Sequence, residues 1–260
     1  MDRLILVDNG SNNKEEIQSG IQNFNTDKIL YIDLHKNKGI AAALNVIAES
    51  TESCGVKWVL TLDQDTVCKD DIIDKYRPYL SMKNVGQFTC LYQDRNFIED
   101  EYKNEGSEFG NLKEVPWCIT SAALLNVEAW KKAGKFDESL FIDQADYDMC
   151  LTMREKGYYI YQVGFVGFVH EIGQGHIIKV GSWKIKTWNH SPFRRYYGTR
   201  NAIIVAKKHN EINMMRAILG AVKHIVIIFV FENDKWNKLS AGVKGLRDGF
   251  CIAWNRERGM

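Results

Sequence analysis

The stretch VKWVLTLDQD, residues 56–65, decides the fold. An apolar run from Val59 to Leu62 has the length and composition of a buried strand, and it ends in two carboxylates, Asp63 and Asp65, one residue apart. A strand that is apolar on both faces is typical of a parallel sheet covered by helices. The two aspartates would then stand at the carboxyl end of the strand, where open α/β sheets bind their ligands.

The chain before this stretch repeats the same pattern. Residues 4–7 form a short apolar run that ends at Asp8, and KILYIDL, residues 28–34, forms another. Amphipathic patterns over residues 13–24 and 35–50 predict the helices between these strands. Alternation of short strands with helices predicts an α/β fold with a parallel sheet and right-handed crossovers. Asp8 is therefore expected on the same rim of the sheet as the two aspartates after Leu62.

The chain after this stretch adds a second group of carboxylates. VPWCITSAALLN, residues 115–126, reads as an apolar strand, followed by a helix that Gly134 ends. A loop with three aspartates, Asp143, Asp146 and Asp148, leads into a further helix. The apolar segment of residues 159–170 then brings His170 to a glycine-rich loop.

The distribution of charge divides the chain into two parts. The 260 residues are 45% hydrophobic and 26% charged, with a formal net charge of +1. Residues 1–175 contain 18 Lys and Arg against 28 Asp and Glu, whereas residues 176–260 contain 16 against 5. We predict a domain over residues 1–175 that suits cations, followed by a basic, helical region over 176–260 that suits an anionic surface. The N-terminus has no signal-peptide pattern, since Asp2, Asp8 and Asn9 interrupt it.

Two aspartates one residue apart at a strand end can share a hard divalent cation. Mg²⁺ and Mn²⁺ prefer oxygen ligands and commonly take one or two carboxylates together with substrate phosphates. An Asp-x-Asp pattern alone is weak evidence, because surface loops contain it by chance. The apolar strand before it and the expected proximity of Asp8 are what favour a site.

Several motifs together resemble family 2 glycosyltransferases of the GT-A fold, in their rhamnosyltransferase-like branch. LILVDNGSNN, NKGIAAALN, LTLDQD, AALLNVEAWKKAGKFDESLFIDQADYDMCL and RRYYGTRN occur in the order and at the spacing of that family, over about residues 3 to 210. The resemblance implies a Rossmann-like, mostly parallel sheet flanked by helices, with a C-terminal helical region. The family normally begins with one more strand and helix, so the resemblance implies that this sequence lacks the first βα unit.

The resemblance also assigns roles to residues. A nucleotide-sugar site would contain Asp8, Asn9, Ser11, Asn37, Gly39, Asn45 and Asp63. Asp65 and His170 would bind a divalent metal, Mg²⁺ or Mn²⁺, and Asp146 would be the catalytic base. The pocket for the acceptor and the sugar would contain Trp117, Thr120, Ser121, Asp143, Arg195 and Arg200.

The implied function is inverting transfer of a sugar from a nucleotide-diphosphate donor, a dTDP- or UDP-sugar. Rhamnose from dTDP-rhamnose is the donor that the branch suggests, and the acceptor would be a hydroxyl of a cell-surface polysaccharide or a lipid-linked glycan. We expect no nucleic acid partner and a cytoplasmic protein. Its basic C-terminal helices are candidates for peripheral contact with the inner face of the membrane, or for a homodimer.

Simpler explanations exist for each motif. Asp8 to Ser11 could be a helix-capping turn, NKGIAAALN an alanine-rich buried helix, and the aspartates around Asp146 the acidic first turn of a helix. His170 and Trp117 could be structural, and the arginines of RRYYGTRN could be a solvated face. Two rival functions remain open at this stage: an inactive, truncated paralogue that acts as a binding module, and a nucleotidyltransferase, although no glycine-rich phosphate loop is seen.

Overall fold

The first two strands form a sheet of their own. In the computed structural model, which describes residues 3–94, 110–170, 175–180 and 183–252, β1 (Leu4–Asp8) and β2 (Ile29–Asp33) pair in parallel. The helix α1 (Lys14–Asn23) makes the crossover between them. The helix α2 (Ile40–Ser53) follows and packs against β1.

The second sheet has six strands and contains most of the core. Its order is β3–β7–β5–β8–β4, and β6 pairs with β8. The strands are β3 (Trp58–Thr61), β4 (Val67–Cys68), β5 (Val85–Asp94), β6 (Leu112–Glu114), β7 (Ala123–Asn126) and β8 (Tyr159–His170). Between β4 and β5 lies the short helix α3 (Ile72–Tyr76). The α/β class, with helices flanking the sheet, is confirmed.

The direction of the strands differs from the prediction of a mostly parallel sheet. Only β5 with β8 is parallel in the six-stranded sheet, and the other four pairings are antiparallel. Parallel neighbours need a crossover connection, whereas short links allow antiparallel ones. The five residues between β3 and β4 contain no helix, and these strands pair with β7 and β8 rather than with each other. The alternation of strands and helices in the first 60 residues therefore does not continue.

Helices cover the six-stranded sheet next to the acidic loop. The helices α4 (Val127–Lys132) and α5 (Ala145–Glu155) contribute buried Trp130 and Met149 to a cluster that also contains Leu44 of α2. A second hydrophobic cluster contains Phe88 together with Ile72 and Tyr76 of α3. These two clusters fix the carboxyl end of β3 and the first turn of α5 in one body.

Residues 176–260 begin with a hairpin rather than with a helix. The strands β9 (His176–Val180) and β10 (Trp183–Thr187) pair in antiparallel fashion. Three helices follow, α6 (Pro192–Lys208), α7 (Met214–Phe231) and α8 (Lys235–Cys251). The predicted helical region is therefore present from Pro192 onward, after a short β segment.

The C-terminal helices pack closely on one another, and polar side chains connect them to residues 1–175. Glycines let α8 lie directly on α6, because a Cβ at Gly245 would overlap the carbonyl oxygen of Tyr196, and one at Gly249 would stand 2.8 Å from that of Arg200. Just beyond α6, the buried ring of His209 hydrogen-bonds Asp148 of α5 at 2.8 Å. Burial opposes protonation of this ring, but its bonds to Asp148 and Glu155 raise its pKa.

Candidate active site

One large cavity collects most of the predicted site residues. It has a volume of ≈ 2670 Å³ and runs from the carboxyl ends of β1 and β3 to α6 and α7. The predicted residues that line it are Asp8, Asn9, Ser11, Asn37, Asp63, Asp65, Trp117, Thr120, Asp143, Asp146 and Arg195. Segments far apart in the sequence thus meet around one space, as expected if the three acidic groups serve one reaction.

Asp8 stands at the end of β1 as an ionised hydrogen-bond acceptor. The backbone N–H of Ser11 donates to its Oδ1 at 2.7 Å, and the hydroxyl of Tyr31 donates to its Oδ2 at 2.7 Å. Burial opposes ionisation, but these bonds and nearby Lys14 outweigh it and lower the pKa of Asp8 to about 2. The same bond raises the pKa of Tyr31 to about 12. Sequence analysis did not single out Tyr31, although its place opposite β1 in a parallel pair could have suggested it.

Asn9 and Asn37 form a polar edge next to Asp8. The Asn9 side chain accepts a hydrogen bond from Lys38 N at 2.8 Å and donates to the Gly39 carbonyl at 3.1 Å. Asn37 Oδ1 accepts from Gly39 N at 2.9 Å. These bonds connect the loop after β1 to the loop before α2, and so fix the shape of this end of the cavity.

Gly39 allows a close approach, but the group that approaches belongs to the protein. Its φ is 89°, and a Cβ would lie 2.5 Å from the carbonyl oxygen of Phe141. That carbonyl accepts a hydrogen bond from Ile40 N at 2.7 Å. In place of the expected contact with a nucleotide, Gly39 contacts Phe141. This contact connects the start of α2 to the loop that precedes α5.

Asn45 has a structural role in place of the predicted nucleotide contact. Its side chain is buried and does not line the cavity. Its amide donates to the carbonyl of Phe136 and to Glu138, and its Oδ1 accepts from Trp130 Nε1 and Phe136 N. All of its hydrogen-bonding capacity is used within the protein, so none is left for a ligand.

Asp63 and Asp65 follow β3 with different surroundings. The hydroxyl of Ser121, which is completely buried, donates a hydrogen bond to Asp63 Oδ2. Ser121 therefore positions Asp63 and does not face an acceptor, in contrast to its predicted role. Thr120 uses its carbonyl to accept a hydrogen bond from the Thr61 hydroxyl, which is an additional link between this loop and β3.

The carboxylates after β3 fit a cation that is completed by substrate. Asp65 is exposed and lines the cavity beside Asp63, and both offer the hard oxygens that Mg²⁺ and Mn²⁺ prefer. Within residues 3–94, 110–170, 175–180 and 183–252, no group of three or more His, Cys, Asp or Glu side chains could hold a metal. Such a pair suits a cation that takes its remaining ligands from phosphate and water. His170 ends β8, but its side chain lies outside the described part of the structure.

Asp146 lies in the first turn of α5, and its carboxyl has a raised pKa. Burial raises that pKa to about 6, and the negative charges of Asp143 and Asp63 act in the same direction, against a hydrogen bond from Tyr147 N at 2.8 Å. A carboxyl with a pKa near neutrality can accept a proton during a reaction and release it afterwards. Asp63 and Asp146 line the same cavity, so the end of β3 and the start of α5 lie around one space.

The loop before Asp146 is held in an unusual conformation by α6. Phe141, Asp143 and Gln144 have backbone φ angles of 46°, 63° and 69°, values that residues other than glycine rarely adopt. The amide of Asn201, which is completely buried, donates to the carbonyls of Ile142 at 2.8 Å and Asp143 at 3.0 Å. Hydrogen bonds from α6 therefore support this strained loop, which leads directly to Asp146.

The arginines of RRYYGTRN take three different partners. Arg194 forms an ion pair with Asp143 at 2.9 Å, Arg195 pairs with buried Glu232, and Arg200 donates to the Ser139 carbonyl. Arg200 does not line the cavity, so its predicted contact with an acceptor is replaced by support of the loop that contains Ser139. Arg194 and Asn201, which were not among the predicted site residues, are the members of this motif that contact the acidic loop.

Two unsatisfied donors lie at the α6 end of the cavity. Trp188 Nε1 and Arg195 Nε are buried and have no hydrogen-bond partner among the described residues, and both side chains line the cavity. His190 lines it as well, and burial and the two neighbouring arginines lower its pKa to about 4. Trp117 stands across the cavity, 47% exposed, with its ring edge-on to Tyr147 at 5.7 Å.

Comparison with known proteins agrees with this geometry. Residues 2–121 match the family model described as glycosyl transferase family 2. Among curated proteins, the chain is 26% identical over 236 residues to the dTDP-rhamnosyl transferase RfbF of Shigella flexneri, with 86% of this chain and 79% of that protein covered.

Solved structures share the fold at low sequence identity. The GalNAc-T7 complex with UDP, GalNAc and Mn²⁺ has a TM-score of 0.60 at 11% identity and covers 96% of this chain, which spans 50% of that protein. The mannosyltransferase PcManGT of Pyrobaculum calidifontis, in complex with GDP-Man and Mn²⁺, has a TM-score of 0.56 at 14% identity, covering 97% of this chain and 67% of its own. TarS 1-349 of S. aureus has a TM-score of 0.54 at 12% identity, covering 94% and 71%.

The matched domain contains β1, β3 and both carboxylates after β3, and the fold is that of GT-A glycosyltransferases. Over residues 2–121, this chain is therefore similar to glycosyl transferase family 2.

Proposed function

We propose that this enzyme transfers a sugar from a nucleotide-diphosphate donor to a hydroxyl group, with inversion, and that Asp146 is the base. The observation that carries the proposal is the single cavity, in which ionised Asp8, the Asp63 and Asp65 pair and a carboxyl with a pKa of about 6 stand together. Direct displacement requires these groups around one sugar: one to hold the nucleotide, a pair near the diphosphate, and one to remove the acceptor proton.

The donor end of the cavity consists of Asp8, Asn9, Ser11 and Asn37. Ionised Asp8 can accept a hydrogen bond from the ring N–H of a uracil or thymine base, which neutral residues would do more weakly. The likeness to RfbF, whose name states a dTDP-rhamnosyl transferase, supports dTDP-rhamnose as the donor. Asp63 and Asp65 would hold a divalent cation, Mg²⁺ or Mn²⁺, which when bound neutralises charge on the departing diphosphate.

Asp146 acts on the acceptor. In its ionised form it accepts the proton of the attacking hydroxyl while the oxygen forms a bond to the anomeric carbon and the diphosphate leaves with the bonding electrons. The Arg194 ion pair with Asp143 and the Asn201 amide keep the loop in place so that the carboxylate stays directed at the reaction. Trp117, with an exposed ring, is suited to lie against a sugar of the acceptor.

The acceptor end contains Trp188, His190 and Arg195, and Trp188 Nε1 and Arg195 Nε are unsatisfied there within the described part of the chain. Unsatisfied buried N–H groups favour a ligand that brings hydrogen-bond acceptors, since they cost free energy when left unpaired. A lipid-linked glycan whose anchor contains a diphosphate provides such acceptors beside its sugar. We therefore propose a lipid-linked or cell-surface glycan as the acceptor.

Calorimetric titration of the whole chain with nucleotide sugars tests the proposal. We expect dTDP-rhamnose to bind more tightly with Mn²⁺ than without it, and more tightly than GDP-mannose. Asp65→Asn should weaken the binding in Mn²⁺ by about 10-fold or more. The exposed Asp70→Asn, outside the cavity, is the matched control and should not change it. Absence of binding by any nucleotide sugar, with or without metal, would favour an inactive binding module instead.

A further inference from the structure

An exposed apolar stripe runs the length of α7. Its members are Met215, Leu219, Val222, Val226, Phe229 and Val230, which recur every three or four residues and so lie on one face of the helix. Leu219 is 59% exposed and Val226 55%. At the rise of an α-helix the stripe is about 22 Å long. A contiguous apolar surface of this length marks an interaction site.

The stripe continues onto α8. Trp236, in the first turn of α8, is 71% exposed, and its ring lies edge-on to that of Phe229 at 5.8 Å. Val243 and Phe250 follow at intervals of seven residues and are exposed as well. The two helices thus present one apolar surface that is joined at the turn between them.

Positive charge borders this surface. Exposed basic side chains on the two helices are Arg216, Lys223, Lys235, Lys244 and Arg247. α7 contains no Asp or Glu, and the single acidic residue of α8, Asp248, is hydrogen-bonded by Tyr196 and Arg247. An apolar stripe between Lys and Arg complements an anionic lipid surface. A second copy of the chain would instead meet an equally basic surface, and the like charges would repel.

The opposite face of α7 belongs to the body of the protein. Ala221 and Ile228 are buried, and with Ile225 they line the cavity that contains the acidic residues. By length and composition α7 could cross a membrane, with a mean hydropathy of 2.0. Its packing against the cavity, α6 and α8 favours a helix that lies along the bilayer surface, since a spanning helix would have to leave those contacts.

We propose that α7 and α8 dock this chain on an anionic lipid bilayer. The apolar stripe and Trp236 enter the interface between headgroups and acyl chains, and the flanking lysines and arginines contact lipid phosphates. The cavity then lies one helix diameter, about 10 Å, from the headgroups. The surface is independent of the reaction that the cavity catalyses, so its test does not require turnover.

Cosedimentation with vesicles tests the docking. We expect the whole chain to bind vesicles of equal parts phosphatidylcholine and phosphatidylglycerol, and to bind phosphatidylcholine vesicles more weakly. The triple variant Leu219→Ser, Val226→Ser, Phe229→Ser should lose binding at least about tenfold. The matched control is Phe24→Ser, because Phe24 is 73% exposed but stands at the end of α1, outside α7 and α8, and this variant should bind as the parent chain does.

A second variant separates charge from folding. Lys223→Glu with Lys244→Glu leaves the apolar side chains in place and should remove the preference for phosphatidylglycerol, as should high salt. Circular dichroism checks that each variant is folded. Failure of the parent chain to bind either vesicle, or undiminished binding by the folded triple variant, would overturn the proposal. A dimer in the absence of lipid that the triple variant disrupts, without any vesicle binding, would assign the surface to a second copy.

Discussion

The two ends of the cavity use the same residue type in opposite ways. Asp8 and Asp146 are both withdrawn from solvent at the edge of a sheet or helix, yet the pKa of Asp8 falls to about 2 and that of Asp146 rises to about 6. Asp8 receives hydrogen bonds from Tyr31 and Ser11, whereas Asp146 receives one from Tyr147 N and faces the charges of Asp143 and Asp63. Donors surround one carboxyl, and other carboxylates surround the second.

The difference between the two pKa values assigns ligand binding to Asp8 and proton transfer to Asp146. A carboxylate that stays charged at every ordinary pH can hold a ligand but cannot take a proton from a hydroxyl. A carboxyl with a pKa near 6 is ionised at neutral pH and still basic enough to accept one. Two titratable groups with pKa values pushed apart are a general sign of such a division of roles. The nucleotide end should therefore control affinity for the donor, and the α5 end should control turnover.

The largest expected effect is on turnover. Asp146→Asn should lower kcat for sugar transfer by about 10²–10⁴-fold, the usual contribution of a general base. The affinity for the donor should stay within about twofold, because the amide has the same shape and lies away from the nucleotide end. Initial rates and donor titrations measure the two quantities separately. A loss of kcat below about tenfold would mean that another group takes the proton.

Substitution of Asp8, at the other end of the cavity, should change the affinity for the donor. Asp8→Asn removes a charged acceptor and should raise the Kd of the donor by about 10-fold, as expected for one charge-assisted hydrogen bond. The value of kcat at saturating donor should change little. Tyr31→Phe removes one donor to Asp8 but leaves its charge, so its effect should be smaller. A large fall of kcat in Asp8→Asn with unchanged Kd would break the division between the two ends.

The smallest effects are on stability, and their signs should differ. The pKa of Asp8 is lowered from 3.8 to about 2, so its charge stabilises the fold above pH 4 and this contribution is lost as the pH falls toward 2. The pKa of Asp146 is raised from 3.8 to about 6, so its ionisation destabilises the fold as the pH rises from 4 through 6. At pH 7, Asp8→Asn should destabilise and Asp146→Asn should stabilise, each by about 1–2 kcal/mol.

Urea unfolding of the two variants at pH 7 measures these signs directly. The parent chain and Asp70→Asn serve as references, since Asp70 is exposed and outside the cavity. Repeating the unfolding of Asp146→Asn at pH 4 should abolish most of its advantage, because the parent carboxyl is then protonated as well. Equal signs for both variants at pH 7 would contradict the contrast between the two environments.

Much of the site was predictable because its residues follow apolar runs. The runs before Asp8 and Asp63 mark the ends of strands, and the acidic group around Asp146 marks the start of a helix. Each position is marked by local sequence, and the three groups line one cavity. The prediction that Asp8 and Asp63 share the rim of a single sheet was wrong, because β1 and β3 lie in separate sheets. The directions of β4 and β7 were not predictable in this way, because they depend on connections that lack helical patterns.

The errors concern the directions of side chains. Asn45 lies four residues after Ala41 and three before Ala48, both completely buried, so helical spacing already placed it on the core face of α2. The family resemblance suggested a nucleotide contact instead. In RRYYGTRN, neighbouring arginines point in different directions from α6, and which one meets Asp143 depends on where the helix begins. Helical spacing therefore decides the case of Asn45, whereas tertiary packing, which the sequence does not display, decides that of the arginines.

The pH dependence of kcat tests the central contrast most directly. For the parent chain at saturating donor, kcat should rise about tenfold per pH unit below pH 6 and level off above it, since Asp146 must lose its proton. Asp8→Asn should keep this profile, because the group that titrates is unchanged, while Asp146→Asn should lose the rise and show a low, nearly flat rate. A profile that keeps its break near pH 6 in Asp146→Asn, or loses it in Asp8→Asn, would contradict the assignment of the proton acceptor.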